Sequence, residues 1–245
     1  MLISAEETQS FKPPVIDGAL PDIPDGQANL LPISQLDRPL NITIVEALID
    51  PPIPQGRRVD LHTKVGLRGS VLATAAIQSV TTPIQFPIPS VIPPDYFITE
   101  GIYEVRIVLE YLGSHSESGP AFFEVDKTAP NFGSPAAPPD LPEEVIRDGL
   151  TSDYLEKNQD KVVIGVAPYF GQRPGDAIEL YLGRFNEPVS STQVLDSTSV
   201  TPIELKGSVV RNIGNGNWPV FFTLKDRAGN TGPVSRSQSI DVKLT

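Results

Sequence analysis

The sequence offers few side chains that could act as acids, bases or nucleophiles. It contains two histidines, His62 and His115, and no cysteine. His115 lies in a run where hydroxyls, an imidazole and a carboxylate are adjacent. Neighbouring residues of a strand point to opposite faces, and a hairpin tip does not hold catalytic groups in place. We therefore interpret this run as candidate ligand contacts in a loop: Ser114, His115, Ser116 and Glu117.

Motifs that would indicate an enzyme are missing. No Gly-x-Ser-x-Gly elbow, His-Glu-x-x-His pair or Gly-x-x-x-x-Gly-Lys phosphate loop occurs in the sequence. Without cysteine there can be no disulfide scaffold, zinc ribbon or cysteine nucleophile. The sequence predicts a protein that is not an enzyme, with no catalytic residue and no cofactor.

A second pair of candidate contact residues is aromatic. Tyr169 and Phe170 precede Gly171 in a connection bounded by Pro and Gly, where side chains are commonly exposed. Both are therefore candidates for ligand binding. Tyr103 and Trp218, in contrast, are each followed by alternating apolar residues, which favours a place in the core.

Carboxylates recur near the expected ends of the domains. Asp126, Asp148 and Asp160 are weak candidates for calcium ligands, because Ca²⁺ takes six to eight oxygens and can join tandem sandwiches. The sequence contains no Asp-x-Asp-x-Asp loop. Ordinary acidic surface is the favoured interpretation, and no metal site is predicted.

Composition limits the elements that can position these residues. Of 245 residues, 26 are Pro, roughly twice the usual share of ~5%, which disfavours long helices and favours short strands. The net charge of −11 argues against nucleic-acid binding. No apolar run is long enough to span a bilayer, so no membrane insertion is expected.

The second half of the sequence repeats the first. Gly101-Ile-Tyr103 corresponds to Gly216-Asn-Trp218, and further matches align along the chain. These include Val59-Asp60-Leu61 with Ile178-Glu179-Leu180, Thr82-Pro83-Ile84 with Thr201-Pro202-Ile203, and Gly119-Pro120 with Gly232-Pro233. The repeat indicates two copies of one structural unit.

Each copy is built from short alternating runs punctuated by Gly and Pro, without a long helical pattern. This predicts an all-β protein of two tandem immunoglobulin-like antiparallel β-sandwiches joined by a Pro-rich linker. The predicted divisions are 1–126 for module 1 with an N-terminal arm at 1–12, 127–140 for the linker, and 141–245 for module 2.

The end of each copy resembles a known family. Asp226-Arg-Ala-Gly229-Asn230 is similar to the Asp-x-Ala-Gly-Asn hairpin of tandem bacterial immunoglobulin-like (Big-type) repeats, and Asp126-Lys-Thr-Ala-Pro130 resembles the seam between such repeats. Those repeats build large surface or secreted proteins. Copy one departs from the pattern, because its turn at Tyr111–Gly119 is longer and lacks Ala-Gly-Asn.

The resemblance implies a non-catalytic structural or adhesion segment, a stalk or presenting module, of a bacterial surface or secreted protein. The alternative is a glycan- or receptor-binding module of a secreted toxin or tail-like apparatus that binds through loops. Expected partners are neighbouring immunoglobulin-like modules and a host glycan or protein receptor; the oligomeric state stays open. Met1-Leu-Ile-Ser-Ala-Glu-Glu lacks the features of a Sec signal peptide, so the secretion route is open.

Overall fold

Runs of alternating apolar and polar residues form the strands of this protein, whose computed structural model describes residues 11–47, 52–184 and 186–244. By their contacts these residues divide into two compact units. The first contains residues up to 22 and 27–127, and the second contains 23–26 and those from 128 onwards. Most of the predicted arm at 1–12 lies outside the described residues. The chain is mostly strands in sheets with few helices, which confirms the all-β prediction.

The described part of the first unit contains two sheets. A three-stranded sheet has the order β1-β2-β5, and a second sheet has the order β4-β3-β6-β7, with β8 also paired to β6. The strands are β1 (Val15–Ile16), β2 (Leu40–Ile44), β3 (Arg58–Leu67), β4 (Ala73–Thr81), β5 (Ile88–Ile92), β6 (Gly101–Tyr111), β7 (Ser114–Glu117) and β8 (Ala121–Val125).

The core of this unit lies between its two sheets. Leu40 and Ile42 of β2 pack in the same buried cluster as Ile107 of β6 and Phe123 of β8. Tyr103 is 3% exposed and stacks on Phe123, with ring centroids 5.1 Å apart. Sheets that bury inward faces against each other form a sandwich.

The described part of the second unit also contains two sheets, ordered β10-β13 and β12-β11-β14-β15-β9. The strands are β9 (Leu150–Thr151), β10 (Lys161–Val166), β11 (Ala177–Leu182), β12 (Ser190–Gln193), β13 (Thr201–Lys206), β14 (Gly216–Lys225) and β15 (Gln238–Lys243). The helices are α1 (Glu143–Asp148), α2 (Ser152–Lys157) and α3 (Gly207–Ile213).

The second core has the same arrangement. Ile164 of β10 and Ile203 of β13 share a buried cluster with Leu180 of β11 and Phe222 of β14. Trp218 packs against this cluster and its Nε1 donates to the Gly214 carbonyl at 3.0 Å. The indole therefore packs against the core with its polar atom satisfied.

The central strands β6 and β14 begin in the same way. Gly101 starts β6 with a φ of 142°, and Gly216 starts β14 with a φ of 143°. Gly101 lies opposite Val125 of β8, and Gly216 lies opposite Val242 of β15. Because β8 and β15 are the last strands of their units, the first residue of the central strand faces the last strand in both units.

Two leucines make corresponding parallel contacts. Leu30 bridges in parallel to Glu124 of β8, and Leu150 of β9 pairs in parallel with Val242 of β15. Both leucine side chains are fully buried. Each unit thus adds a short parallel segment beside its last strand.

A buried serine performs the same task in each unit. The backbone N–H of Ile107 donates to Ser118 Oγ at 2.9 Å, and that of Phe222 donates to Ser235 Oγ at 2.9 Å. Each hydroxyl then donates to the carbonyl of the following residue, Gly119 or Arg236. A buried amide next to a strand irregularity must find such a partner.

Two aligned pairs from the sequence differ in the structure. Thr82–Ile84 follows β4 in a loop, whereas Thr201–Ile203 begins β13. The counterpart of β13 is β5, because each pairs with the first long strand of its unit, β10 or β2. The structure also changes the alignment near the ends of the units: Ser118 corresponds to Ser235, so Gly119-Pro120 does not correspond to Gly232-Pro233.

The predicted connector at 127–140 makes contacts within the second unit. Ala136 is 5% exposed in its core, and the Ala136 carbonyl accepts from Arg236 N at 3.0 Å. Asp140 exchanges two backbone hydrogen bonds with Gly165 of β10, each 2.8 Å long. Asp140 therefore adds a bridge to β10, whereas Ala136 bonds to Arg236 near the start of β15.

We expect Ser118→Ala and Ser235→Ala each to destabilise the protein by about 1–3 kcal/mol, because each leaves a buried backbone N–H without an acceptor. Urea denaturation measures the change. Ser114→Ala is the control, since Ser114 is exposed and its loss is expected to change stability by less than about 0.5 kcal/mol. Equal urea midpoints for the three variants and the parent would contradict the role assigned to Ser118 and Ser235.

Candidate functional site

The candidate contact residues Ser114–Glu117 lie on a strand, which corrects the prediction that they form a loop. The turn is Leu112-Gly113, whose φ values are 50° and 82°. Positive φ at both central residues is typical of a type I′ hairpin, which leaves Ser114 paired with Tyr111. The sequence concealed this turn because leucine rarely adopts positive φ.

The strand places its charged residues in a ladder on the outer face of the sheet. Arg106 Nε lies 2.5 Å from Glu104, and Arg106 Nη1 lies 3.4 Å from Glu117. The hydrogen bond that Arg106 donates to Glu104 raises the pKa of Arg106. Glu117 is therefore part of an ion-pair network that crosses two strands, rather than a free contact residue.

The histidines flank a different carboxylate, that of Glu110 on β6. His115 is exposed and lies opposite Glu110, and Glu110 Oε2 is 3.3 Å from His62 Nε2. Ser116 is half-buried on the neighbouring strand position. Among residues 114–117, Ser114 and His115 are the exposed ones.

Tyr169 and Phe170 have different environments. Tyr169 is half-buried, and its hydroxyl donates to Asp176 Oδ2 at 2.7 Å. The backbone N–H of Arg173 donates to the same oxygen at 3.0 Å. Tyr169 therefore closes a loop on its own unit, whereas Phe170 is 65% exposed.

Asp176 is the residue of this loop that sequence reasoning missed. It is 1% exposed, and burial raises its pKa to about 6. Burial also raises the pKa of Tyr169 well above its ordinary value. The available signal was the position of Asp176 between Gly175 and the first apolar residue of a strand, where a turn-closing carboxylate is common.

Phe170 packs on Phe132, a second residue that the sequence did not single out. Their ring centroids are 4.4 Å apart, and Phe132 is 64% exposed. The Asn131 N–H donates to the Phe170 carbonyl at 3.0 Å, and the Phe170 N–H donates to Asn131 Oδ1 at 3.3 Å. These bonds fix the two loops of the aromatic pair to each other.

The backbone beneath this pair is strained. Asn131, Phe132 and Gly133 have φ values of 56°, 52° and 67°. A left-handed conformation costs about 1–2 kcal/mol for a residue with a Cβ, least for asparagine. Strain at an exposed aromatic residue is the kind of feature found at ligand contacts.

The family-like turn of the second unit is organised by Asp226. Its Oδ1 accepts from the backbone N–H groups of Gly229 at 2.7 Å and Asn230 at 2.8 Å, and its Oδ2 accepts from Asn230 Nδ2 at 2.8 Å. Gly229 has a φ of 104°, which favours glycine. The motif is therefore a hydrogen-bonded turn.

Each of the three weak calcium candidates has a protein partner. Asp126 accepts from Gln27 Nε2 at 2.9 Å, Asp148 forms two hydrogen bonds with Arg147, and Asp160 is paired with Arg211. The bond from Arg147 lowers the pKa of Asp148. Within the described ranges, no three His, Cys, Asp or Glu residues are grouped to hold a metal ion.

A shallow depression of about 740 Å³ lies beside β12 and β13. Its charged lining residues are Glu204 and Lys206, and Glu204 is 2.5 Å from Lys161 Nζ. Such a surface is not a cleft with converging acid and base. None of the helices in the described part of the chain has the length and hydrophobicity needed to cross a bilayer.

Strands in stacked sheets define an all-β protein. No protein-family model matches the sequence, and no curated protein matches it in sequence. An adhesin with which an Antarctic bacterium binds ice, described as Ca²⁺-stabilised, matches with a TM-score of 0.41 and 14% identity, over 98% of this chain and 50% of that one. This chain thus spans half the length of that adhesin structure.

Two further structures are similar to the same extent. A 1.5-MDa bacterial ice-binding adhesin matches with a TM-score of 0.40 and 14% identity, over 97% of this chain and 67% of that one. The FN1–FN3 domains of chicken CNTN1 match with a TM-score of 0.44 and 17% identity, over 95% and 68%. At such values the likeness carries no inference about binding.

Titration of Asp176 predicts a pH dependence of stability. A carboxyl group whose pKa is raised by folding stabilises the protein when protonated, and this stability is lost as pH rises through about 6. Between pH 5 and pH 7 the loss is about 1 kcal/mol. Thermal denaturation from pH 4.5 to 7.5 should show this loss of stability with rising pH in the parent and not in Asp176→Asn.

Asp196→Asn is the control for that experiment. Asp196 accepts hydrogen bonds from Thr198 and Ser199, which lower its pKa, so its effect on stability is confined to lower pH. The groups that face Asp176 are Tyr169, Arg173 and Asp226. A difference between parent and Asp176→Asn that stays constant over this pH range would contradict the prediction.

Proposed function

We propose that the chain is a non-catalytic structural and adhesion segment made of two tandem immunoglobulin-like β-sandwiches, which serves as a stalk or presenting module. The observation that carries the proposal is the buried serine, Ser118 or Ser235, found at the same place in both units. A repeated architecture whose copies share such a detail is typical of an array of structural modules.

The shared register supports the tandem arrangement. Gly101 and Gly216 have nearly the same φ, and each faces the last strand of its own unit at the same point. Leu30 and Leu150 are both fully buried and make parallel contacts with that strand. We propose that residues 1–126 and 141–245 are the two modules and that 127–140 joins them, with Ala136 and Asp140 of this segment packed on the second module.

The roles of the polar side chains support a non-catalytic protein. Tyr169 and Asp176 are committed to closing a loop, and Glu104, Arg106 and Glu117 form an ion-pair ladder. Catalysis needs a base or nucleophile aimed at a space that substrate can occupy. We propose a surface or secreted location, with neighbouring immunoglobulin-like modules as partners and without nucleic acid, membrane insertion or cofactor.

Single-molecule stretching tests the proposal. Two independent sandwiches should unfold in two separate events, each releasing about 40 nm, as expected for roughly 115 extended residues. Phe123→Ala should lower the unfolding force of one event and Phe222→Ala that of the other, because each ring is buried in a different core. A single cooperative event of twice this length would refute independent modules.

The second candidate function is a glycan- or receptor-binding module of a toxin or tail-like apparatus. The pair Phe132 and Phe170 favours it, because both rings are about two-thirds exposed and one stands on a strained backbone. Exposed aromatic residues are common anchors of binding surfaces. Ser114 and His115 remain proposed contacts on the first unit.

A glycan array and a panel of surface receptors test this candidate. We expect Phe132→Ala and Phe170→Ala each to weaken any binding about tenfold, which corresponds to about 1.4 kcal/mol. Leu195→Ala is the control, because Leu195 is 87% exposed and lies in the connection between β12 and β13. Equal binding by the parent and all variants would show that Phe132 and Phe170 do not form the binding surface.

A further inference from the structure

A buried carboxylate closes the loop that carries Phe170. This loop joins β10 to β11, and Asp176 at its end is 1% exposed. Asp176 Oδ2 accepts from the Tyr169 hydroxyl at 2.7 Å and from the Arg173 N–H at 3.0 Å. Tyr169 immediately precedes Phe170 in the chain. The side chain that holds this loop closed is therefore bonded to the residue next to the exposed ring.

The surroundings of Asp176 disfavour a charged carboxylate. Burial is the largest effect, because a carboxylate loses its hydration when it leaves water. The carboxylate of Asp226, on the turn after β14, adds like-charge repulsion. The loop supplies the groups that favour the charged form, which are the Tyr169 hydroxyl and the N–H and cation of Arg173. Burial prevails and raises the pKa of Asp176 to about 6.

Backbone bonds and one arginine hold the end of the loop at Asp176 in place. The Gly175 N–H donates to the Val194 carbonyl, and the Val194 N–H donates to the Asp176 carbonyl, each at 2.8 Å. Arg227 packs against the loop so closely that a Cβ at Gly175 would lie 2.5 Å from Arg227 Cδ. Because the backbone of Asp176 is fixed, water can reach its carboxylate only when the other end of the loop moves.

That other end, residues 169–171, is held by longer bonds. The Tyr169 N–H donates to Gln172 Oε1 at 3.4 Å, and the Gln172 N–H donates to the Tyr169 carbonyl at 3.2 Å, whereas about 2.9–3.0 Å is usual. Gly171 has a φ of 76° and open space around it. Gln172 is anchored by its Nε2, which donates to the carbonyls of Asp196 and Ser199. Residues 169–171 can therefore move while Gln172 stays fixed.

We propose that ionisation of Asp176 opens residues 169–171 and moves Phe170 away from Phe132. The neutral carboxyl group keeps Tyr169 in place. Once the group is ionised, outward movement of Tyr169 lets water hydrate the carboxylate, and the bonds between Phe170 and Asn131 break with it. The aromatic pair is thus assembled in acid and loosened at neutral pH. This inference deepens the second candidate function, because the surface that it regulates is the proposed binding surface.

The size of the effect follows from the linkage between protonation and opening. The pKa of Asp176 is about 6 in the closed loop, and a hydrated aspartate has a pKa of ~3.9. Protonation therefore stabilises the closed loop, and this stabilisation is lost as pH rises through about 6. The open fraction should rise about tenfold between pH 5 and pH 7.5 and then level off.

Hydrogen exchange of the full chain, measured by NMR, tests the proposal without a ligand. Protection factors correct the exchange rate for its intrinsic dependence on pH. Those of the Asn131, Phe170 and Gln172 amides should fall about tenfold between pH 5 and pH 7.5, because their hydrogen bonds break on opening. The Val194 amide should be more protected than these three at every pH, since its bond to Asp176 survives local opening.

Three variants identify the titrating group. Asp176→Asn keeps an acceptor for the Tyr169 hydroxyl but cannot ionise, so the same protection factors should be independent of pH. Asp196→Asn is the matched control and should behave like the parent. Tyr169→Phe removes a hydrogen bond that lowers the pKa of Asp176, so the fall in protection should extend to higher pH.

Four outcomes would overturn the proposal. Protection in the parent that does not change with pH, or a fall that persists in Asp176→Asn, would exclude Asp176 as the trigger. Equal protection of Val194 and the loop amides would show global unfolding, and an Asn131 amide that stays protected while Gln172 exchanges would show that Phe170 does not move. A glycan array without a ligand would reject the second candidate function and leave these exchange results unchanged.

Discussion

The pairing of β3 with β6, and of β11 with β14, is the interaction on which the rest of each unit depends. In the central strands β6 and β14, Val105, Ile107 and Leu109 face one core, and Val220, Phe222 and Leu224 face the other. A shift of one residue would turn every apolar side chain to solvent. The register therefore fixes the positions of all other strands, and the buried serines, Ser118 and Ser235, satisfy the amides at the point where the last strands begin.

Because the cores supply stability without disulfides, the loops can hold strained conformations. Leu112, Asn131 and Phe132 all have positive φ, and Leu112 and Phe132 are also exposed. Strain of this kind persists only where surrounding structure enforces it. At Phe132 the enforcing contacts are visible, since Asn131 bonds to Phe170 through both its backbone and its side chain. The aromatic pair is thus positioned by the fold rather than by local preference.

The two units differ in their edge strands and in one turn. β4 is more than twice as long as β12, and the first unit carries the additional strand β7 where the second has the Asp226 turn. Copies of one unit keep the core because its packing is constrained, whereas edges and turns at the surface are free to change. Differences in function between the copies are therefore to be sought at β4, at β7 and at the Phe132–Phe170 pair.

The sequence by itself determined the strand-rich class, the central strands and the turn at Asp226-Arg-Ala-Gly229-Asn230, because alternation and turn chemistry are local properties. It placed Ser114–Glu117 in a loop, because the hairpin turn uses a leucine that local rules do not expect there. Only the tertiary structure decided that Asp176 is buried under Tyr169, that Phe132 meets Phe170, and that β4 is an edge. The contacts form in the folded chain, and the position of β4 at an edge depends on how the described strands are ordered in the sheet. No local sequence pattern encodes such contacts or the strand order.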